Sequence, residues 1–150
     1  MRVGFQLLYQ LVLGFFATIG FAVYFYAPID SVLATGLAGG LSWVLYYIVL
    51  NITNDKIIGT FLGAFLVGIL GEFLAIKMKK PATVFITPGI VSLVPGAGMY
   101  YTMLHLVQKD YTQAAITGSE TLFIAAAIAM GIIVSTIFSK SLRFIKNKHS

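Results

Sequence analysis

Two acids stand inside long apolar stretches, and they are the first residues that could do chemistry. Glu120 sits in the polar patch "TGSET", ten residues past Asp110, which is roughly 15 Å along a helix. A carboxylate at such depth is costly and usually faces a cavity or a partner. Glu120 therefore reads as a proton-coupling acid or a receiver for a substrate amino group. Glu72, five residues before Lys77, reads either as a second coupling acid or as half of an ion pair near the interface. His105, four residues before Lys109, is a residue type suited to a proton relay, or is simply a wet imidazole near the membrane surface.

The second chemical feature is backbone. The stretch "PATVFITPGIVSLVPGAGMYYTM", residues 81–103, is apolar but interrupted by prolines and glycines. Pro88 withholds an N–H from the Val84 carbonyl and Pro95 from that of Val91, while glycine admits conformations that other residues resist. A fresh helix is expected to start near Gly96 to Met99. Such a start presents unpaired N–H groups and about half a positive charge, suited to a carboxylate. The candidate substrate-binding residues are Pro88, Gly89, Ser92, Pro95, Gly96 and Gly98, followed by Tyr100 and Thr102. Tyr100, Tyr101 and Thr102 after the break, and Thr87 and Ser92 flanking the first proline, could hydrogen-bond a substrate; tyrosines at this depth are also ordinary packing residues. A plain kink is the competing reading, since neighbours can satisfy freed backbone in a membrane. Two prolines in eight residues, each followed by glycine, point to the discontinuous helix of a secondary transporter.

These residues need elements to hold them, and the charge distribution supplies their lengths. The chain has 150 residues, 59% of them hydrophobic and 10% charged, with a mean hydropathy of +0.93. Ten Lys/Arg and five Asp/Glu are too few to coat a soluble globule, where about a quarter of residues are charged. Between charged positions lie uncharged runs of 27 residues (Arg2 to Asp30), 24 (Asp30 to Asp55) and 28 (Lys80 to Lys109). Two more runs are interrupted once each, by Glu72 and by Glu120. About 20 helical residues cross the hydrocarbon. The expectation is all-α: a polytopic membrane bundle of about five spans, at 4–26, 31–50, 56–76, 82–108 (broken) and 112–138. Residues 1–150 form one transmembrane domain, with a short basic tail at 140–150. Asp30 or Ser31, Asn54 or Asp55, and Thr112 are the expected helix caps. Small residues in spans two, three and five, such as Gly59/Gly63, Ala64/Gly68 and Ala127/Gly131/Ser135, mark packing faces.

If all five segments cross, Arg2, Lys56 and Lys109 lie on one side. Lys77, Lys79, Lys80, Lys140, Arg143, Lys146 and Lys148 lie on the other. That split places the N-terminus outside and the C-terminus in the cytoplasm, in the inner (plasma) membrane. If the broken segment instead re-enters, the split narrows to six against four. Tyr9, Tyr24, Tyr26, Trp43, Tyr46 and Tyr47 include expected interfacial anchors, and the basic tail suits anionic headgroups. Topology accounts for the pI of 9.5, so nucleic acid is not an expected partner. With no cysteine, no HExxH and no nucleophile–base pair, neither an enzyme nor a metal site is indicated, and no cofactor is expected.

The run Lys80, Pro81, Val84, Pro88, Gly89, Ile90, Pro95, Gly96, Tyr100 resembles the proline-rich motif of the threonine/serine exporter family, and in particular the small membrane-only half of its split two-component members. Ser92 stands where that family often has another proline. The resemblance is specific over about 25 residues, and the five-span layout extends it more weakly over nearly all the chain. It implies export of threonine, serine or small carboxylates, and a larger membrane partner subunit with a cytoplasmic domain. An odd number of spans in each half would give the halves opposite topologies. Bilayer lipid and a small-molecule substrate are the other expected partners, and a homo-oligomer is open. The alternative is a structural subunit that supports a partner transporter without binding substrate.

Overall fold

The computed structural model describes residues 2–148, with side chains from 4 to 141; the side chains of Arg2, Arg143, Lys146 and Lys148 used in the charge count lie outside the described residues. The chain forms α1 (Arg2–Tyr24), α2 (Ile29–Thr53), α3 (Lys56–Met78), α4 (Thr83–Ile90), a 3-10 turn (Val91–Leu93), α5 (Gly96–Val107) and α6 (Tyr111–Lys148). α1, α2, α3 and α6 are each long and apolar enough to cross a membrane. Thr83–Leu93 and Gly96–Val107 form a pair bent by 52° that would make a fifth span.

Local chemistry sets the helix ends, with three shifts from expectation. Asp55 caps α3, accepting from the N–H groups of Ile57 at 2.7 Å and Ile58 at 3.3 Å. Asp110, not Thr112, caps α6, accepting from the Gln113 N–H at 3.1 Å. α2 begins at Ile29, directly behind Pro28, and neither Asp30 nor Ser31 caps it. Proline fixes its own φ and cannot continue α1, so it starts α2 without a side-chain cap, and Asp30 and Ser31 are engaged by Lys80 instead. α6 also runs on through Lys148, because "KSLRFIK" offers no glycine or proline to stop it.

The glycines act as spacers rather than as hinges. Tyr26, Asn54, Lys79 and Lys109 take left-handed conformations at the turns, and no described glycine does. A Cβ at Gly39 of α2 would fall 2.1 Å from Thr18 Oγ1 of α1. Along α3, Gly59 and Gly63 lie against Tyr46 and Ser42 of α2, Gly71 against Ile86 of α4, and Gly68 against Ser135 of α6. Helices that approach this closely gain dispersion contacts that lipid cannot replace. α3 is thus the central helix, touching three neighbours through different glycines. Buried hydroxyls face the same seams and are satisfied within their own helices: Thr18 donates to the Gly14 carbonyl at 2.8 Å and Ser42 to that of Ala38 at 2.9 Å.

The pairings also give direction. Ile86, Gly89 and Leu93 meet Gly71, Val67 and Gly63 in turn, so α4 runs antiparallel to α3. Glu120, Gly131 and Ser135 meet Lys56, Ala64 and Gly68 in turn, so α6 runs parallel to it. α4, the 3-10 turn and α5 therefore carry the chain from the Met78 end of α3 back past its Lys56 end. α5 packs chiefly on α6, and together they form a hairpin that projects beyond Lys56. Ala64, Leu93 and Ile128 make the central apolar cluster, with Trp43, Tyr46, Ile90 and Ile132 around it. Trp43 and Tyr46 are therefore packing residues and not interfacial anchors. Trp43 closes over Gly14 and donates to Gln10 Oε1 at 2.8 Å, giving its indole N–H the partner it needs away from water.

Candidate functional site

The break falls at Val94–Pro95, not at Pro88, which α4 incorporates. The residue before a proline is pushed out of the helical region, and Val94 is extended at φ −63°, ψ 130°. Pro95 follows at φ −78°, ψ 58°, and the Gly96 N–H donates back to the Val94 carbonyl at 2.8 Å, an inverse γ-turn. The expectation that Pro95 frees the Val91 carbonyl is not met: the 3-10 turn supplies it with the Val94 N–H at 3.2 Å. Gly89, Gly96 and Gly98 do not supply unusual conformations either. Gly89 makes room for Val67, Gly98 makes room for Thr121, and a Cβ at Gly96 would meet nothing within 4 Å.

α5 then starts with its Met99 N–H on the Pro95 carbonyl at 3.1 Å and no side-chain cap. The N–H groups of Ala97 and Gly98 are the donors that a helix start leaves without an intrahelical acceptor. Both residues line a cleft of about 250 Å³. Pro95 forms its rim, and Tyr101 of α5 with Thr117, Glu120 and Thr121 of α6 forms its wall. Lys56, the first residue of α3, completes the cleft. Its Nζ lies 2.7 Å from Glu120 Oε1, with the two side chains 55% and 46% exposed. The cleft thus offers a cation, an anion, hydroxyls and a helix start within one small volume. A zwitterion has matching groups.

The structure divides the sequence-derived residues. Pro95, Gly98 and Glu120 share this cleft. Thr102 supports it from behind, donating to the Gly98 carbonyl at 2.7 Å and packing on Gly118. Tyr100 is 64% exposed, stacked edge-on against Tyr101. Ser92 turns to a separate hollow beside Gln10, Gly14 and Trp43. Pro88 lies in a third, next to Thr87, and Gly89 is buried against α3. Glu72 is sixteen residues beyond Lys56 on α3, about 24 Å along the helix, and so stands apart from the cleft. His105 is seven residues past Gly98 on α5, about 10 Å toward the hairpin tip.

Sequence reasoning missed Lys56, which entered only as a topology marker, and did not count Thr117 or Thr121 among the site residues. Thr117, Glu120 and Thr121 share one helix face at three- and four-residue spacing, a signal present in the sequence. Nothing local to Lys56 announces its partner 64 residues away.

Long apolar helices packed by glycine around α3, one of the neighbouring segments broken, define a polytopic helical membrane protein. Residues 10–138 match the family model described as "Threonine/Serine exporter, ThrE". The chain belongs to the threonine/serine exporter family. It is similar to a probable threonine/serine exporter of Mycobacterium tuberculosis, 26% identical over 120 residues, which cover 79% of this chain and 23% of that protein. It is also similar to an uncharacterized protein of Haemophilus influenzae, 24% identical over 146 residues, covering 95% of this chain and 49% of that protein. The chain therefore spans from about a quarter to about half of the length of these curated relatives. No solved structure matches it.

Proposed function

We propose that this chain is the membrane unit of a two-part secondary transporter that exports threonine and serine, and that the cleft at the start of α5 holds the substrate. The observation that carries this reading is the meeting of Lys56, Glu120 and the uncapped start of α5 in one cleft. The substrate carboxylate meets the Ala97 and Gly98 N–H groups and Lys56, and its ammonium meets Glu120. Its hydroxyl meets Thr117 or Tyr101. A dicarboxylate would set its second negative charge against Glu120, so the cation–anion pair supports an amino acid. Substrate enters by exchanging its own charges for the Lys56–Glu120 contact, and Glu120 is the group that couples a proton to the cycle.

The partner is a larger unit of the same family with a cytoplasmic domain, a reading supported by relatives at least twice as long as the matched segment. The Lys/Arg split across five crossings supports an N-terminus outside and a C-terminus in the cytoplasm of the inner membrane, and the parallel course of α3 and α6 supports the broken segment as the fourth crossing.

The test is efflux of labelled threonine, serine and succinate from vesicles holding this chain with and without its partner. Threonine and serine efflux that requires both chains and is lost in Gly98→Leu and Glu120→Gln proteins, with succinate retained throughout, is the expected outcome. Undiminished efflux in both variants would refute the cleft as the substrate site and leave this chain a scaffold for its partner.

A further inference from the structure

The broken span borders a second cleft at its other end. It measures about 270 Å³ and lies between the α1–α2 turn, residues 25–28, and α4, whose wall is Thr83, Thr87 and Pro88. The same two segments are joined beside it by an ion pair. Lys80, three residues before Thr83, reaches Asp30 at the start of α2 and donates to Ser31 Oγ at 2.9 Å. Lys80 is 80% buried and Asp30 is 64% exposed, so the cation is held in place while the acid remains open to a ligand.

The make-up of this cleft repeats that of the first. A Lys–acid pair bridges two elements at each: Lys56–Glu120 lines the first cleft, and Lys80–Asp30 stands beside the second, outside its lining, two residues past Pro28 and three before Thr83. Each has two threonines four residues apart on one helix, Thr117 and Thr121 there, Thr83 and Thr87 here. A proline of the broken span and one tyrosine complete each set, Pro95 with Tyr101 and Pro88 with Tyr26. The buried helical hydroxyls of Thr18, Thr35, Thr121 and Ser135 are spent on carbonyls a turn earlier. Thr87 and Thr117 line the two clefts, one in each. The clefts stand at opposite ends of α3, whose 23 residues are about 34 Å long.

We infer that the cleft at Thr83, Thr87 and Pro88 is a second binding station for the same class of ligand, a small zwitterionic hydroxy amino acid. The inference rests on the transporter reading above. Lys80 receives the carboxylate, Asp30 the ammonium, and Thr83 or Thr87 the hydroxyl. The ligand is thus held at one end of the broken span before it is held at the other.

Equilibrium dialysis of radiolabelled L-threonine against the full chain in lipid nanodiscs tests this directly. Wild type is expected to bind two threonines. The Thr83→Val/Thr87→Val protein, which keeps the side-chain shape, is expected to bind one, with at least a tenfold loss of affinity at the other station. Thr83→Ser/Thr87→Ser is expected to restore two, and Glu120→Gln to remove only the first station. A single threonine per wild-type chain, lost in Glu120→Gln and untouched by the valine pair, would overturn the second station and leave the transporter reading standing. No bound threonine in wild type would overturn both. Loss of both stations in the valine pair together with a lowered melting temperature would make those threonines structural and overturn the inference.

Discussion

Replacing Gly98 by alanine tests the geometry of the cleft at a single atom. The new Cβ would stand 2.3 Å from Thr121 Oγ1, where ordinary contact is 3.4–4 Å. More than 1 Å must therefore be found. Thr121 cannot yield freely, because its hydroxyl donates to the Thr117 carbonyl at 2.7 Å and its side chain is only 8% exposed. Either that bond breaks, at about 0.5–1.5 kcal/mol, or α5 moves off α6 and strains the packing by about 1–3 kcal/mol. Both routes disturb the Gly98 N–H and the cleft wall together. Removing the obstruction should reverse the effect: in Thr121→Ala the nearest remaining atom is the Thr121 Cβ at 3.4 Å, which is tolerable. A double-mutant cycle on thermal unfolding in detergent should thus give Gly98→Ala a loss of about 1–3 kcal/mol and a coupling with Thr121→Ala of similar size. Threonine efflux should fall about tenfold in the single variant, the equivalent of 1.4 kcal/mol, and recover substantially in the double. Additive stabilities within about 0.5 kcal/mol, with efflux unrescued, would refute the claim that Gly98 serves by making room for Thr121.

Three further outcomes follow from the same geometry. Glu120→Gln should abolish or strongly reduce threonine efflux while shifting stability by no more than about 1 kcal/mol, because both members of the Lys56–Glu120 pair are about half exposed; melting curves beside efflux rates separate the two effects. Pro95→Ala removes the constraint that holds Val94 extended, so the 52° bend should relax, read as a longer distance between spin labels at positions 84 and 104. Gly131→Leu would drive a side chain into the Phe61 carbonyl, 2.7 Å from the Cβ position, and should cost upwards of about 3 kcal/mol, whereas Gly20→Leu, with nothing within 4 Å of its Cβ, should leave the melting temperature unchanged.

The spans were readable because lipid forces charge to the ends of helices, and Asp30, Asp55, Lys80 and Lys109 all fall in or beside turns. The break was readable because Pro95 acts on its immediate neighbour Val94, a local effect. The small-residue spacings identified packing faces, and Gly131 and Ser135 do meet α3; which glycine serves which neighbour depends on the final arrangement and is not written locally. The same holds for Lys56 and Glu120, which become partners only because Gly68/Ser135 and Ala64/Gly131 set α6 parallel to α3. Glu120 alone looked like an unpaired acid deep in the bilayer. Trp43 misled in the opposite sense: an indole suits a headgroup region by type, and only the placement of Gln10 on α1 gives it a part-buried acceptor within the fold.

α6 has 38 residues and so measures about 57 Å, against a hydrocarbon thickness of about 30 Å. It precedes Lys56 by nine residues at one end and passes Lys140 by eight at the other. The molecule is therefore taller than the sheet of lipid it sits in. Its turn at Gln108–Asp110 is exposed and stands at the tip of the α5–α6 hairpin, clear of the rest of the fold. An epitope spliced into that turn would meet an antibody without touching a packing seam. The position makes a natural flag for reading which way the molecule faces in a living cell.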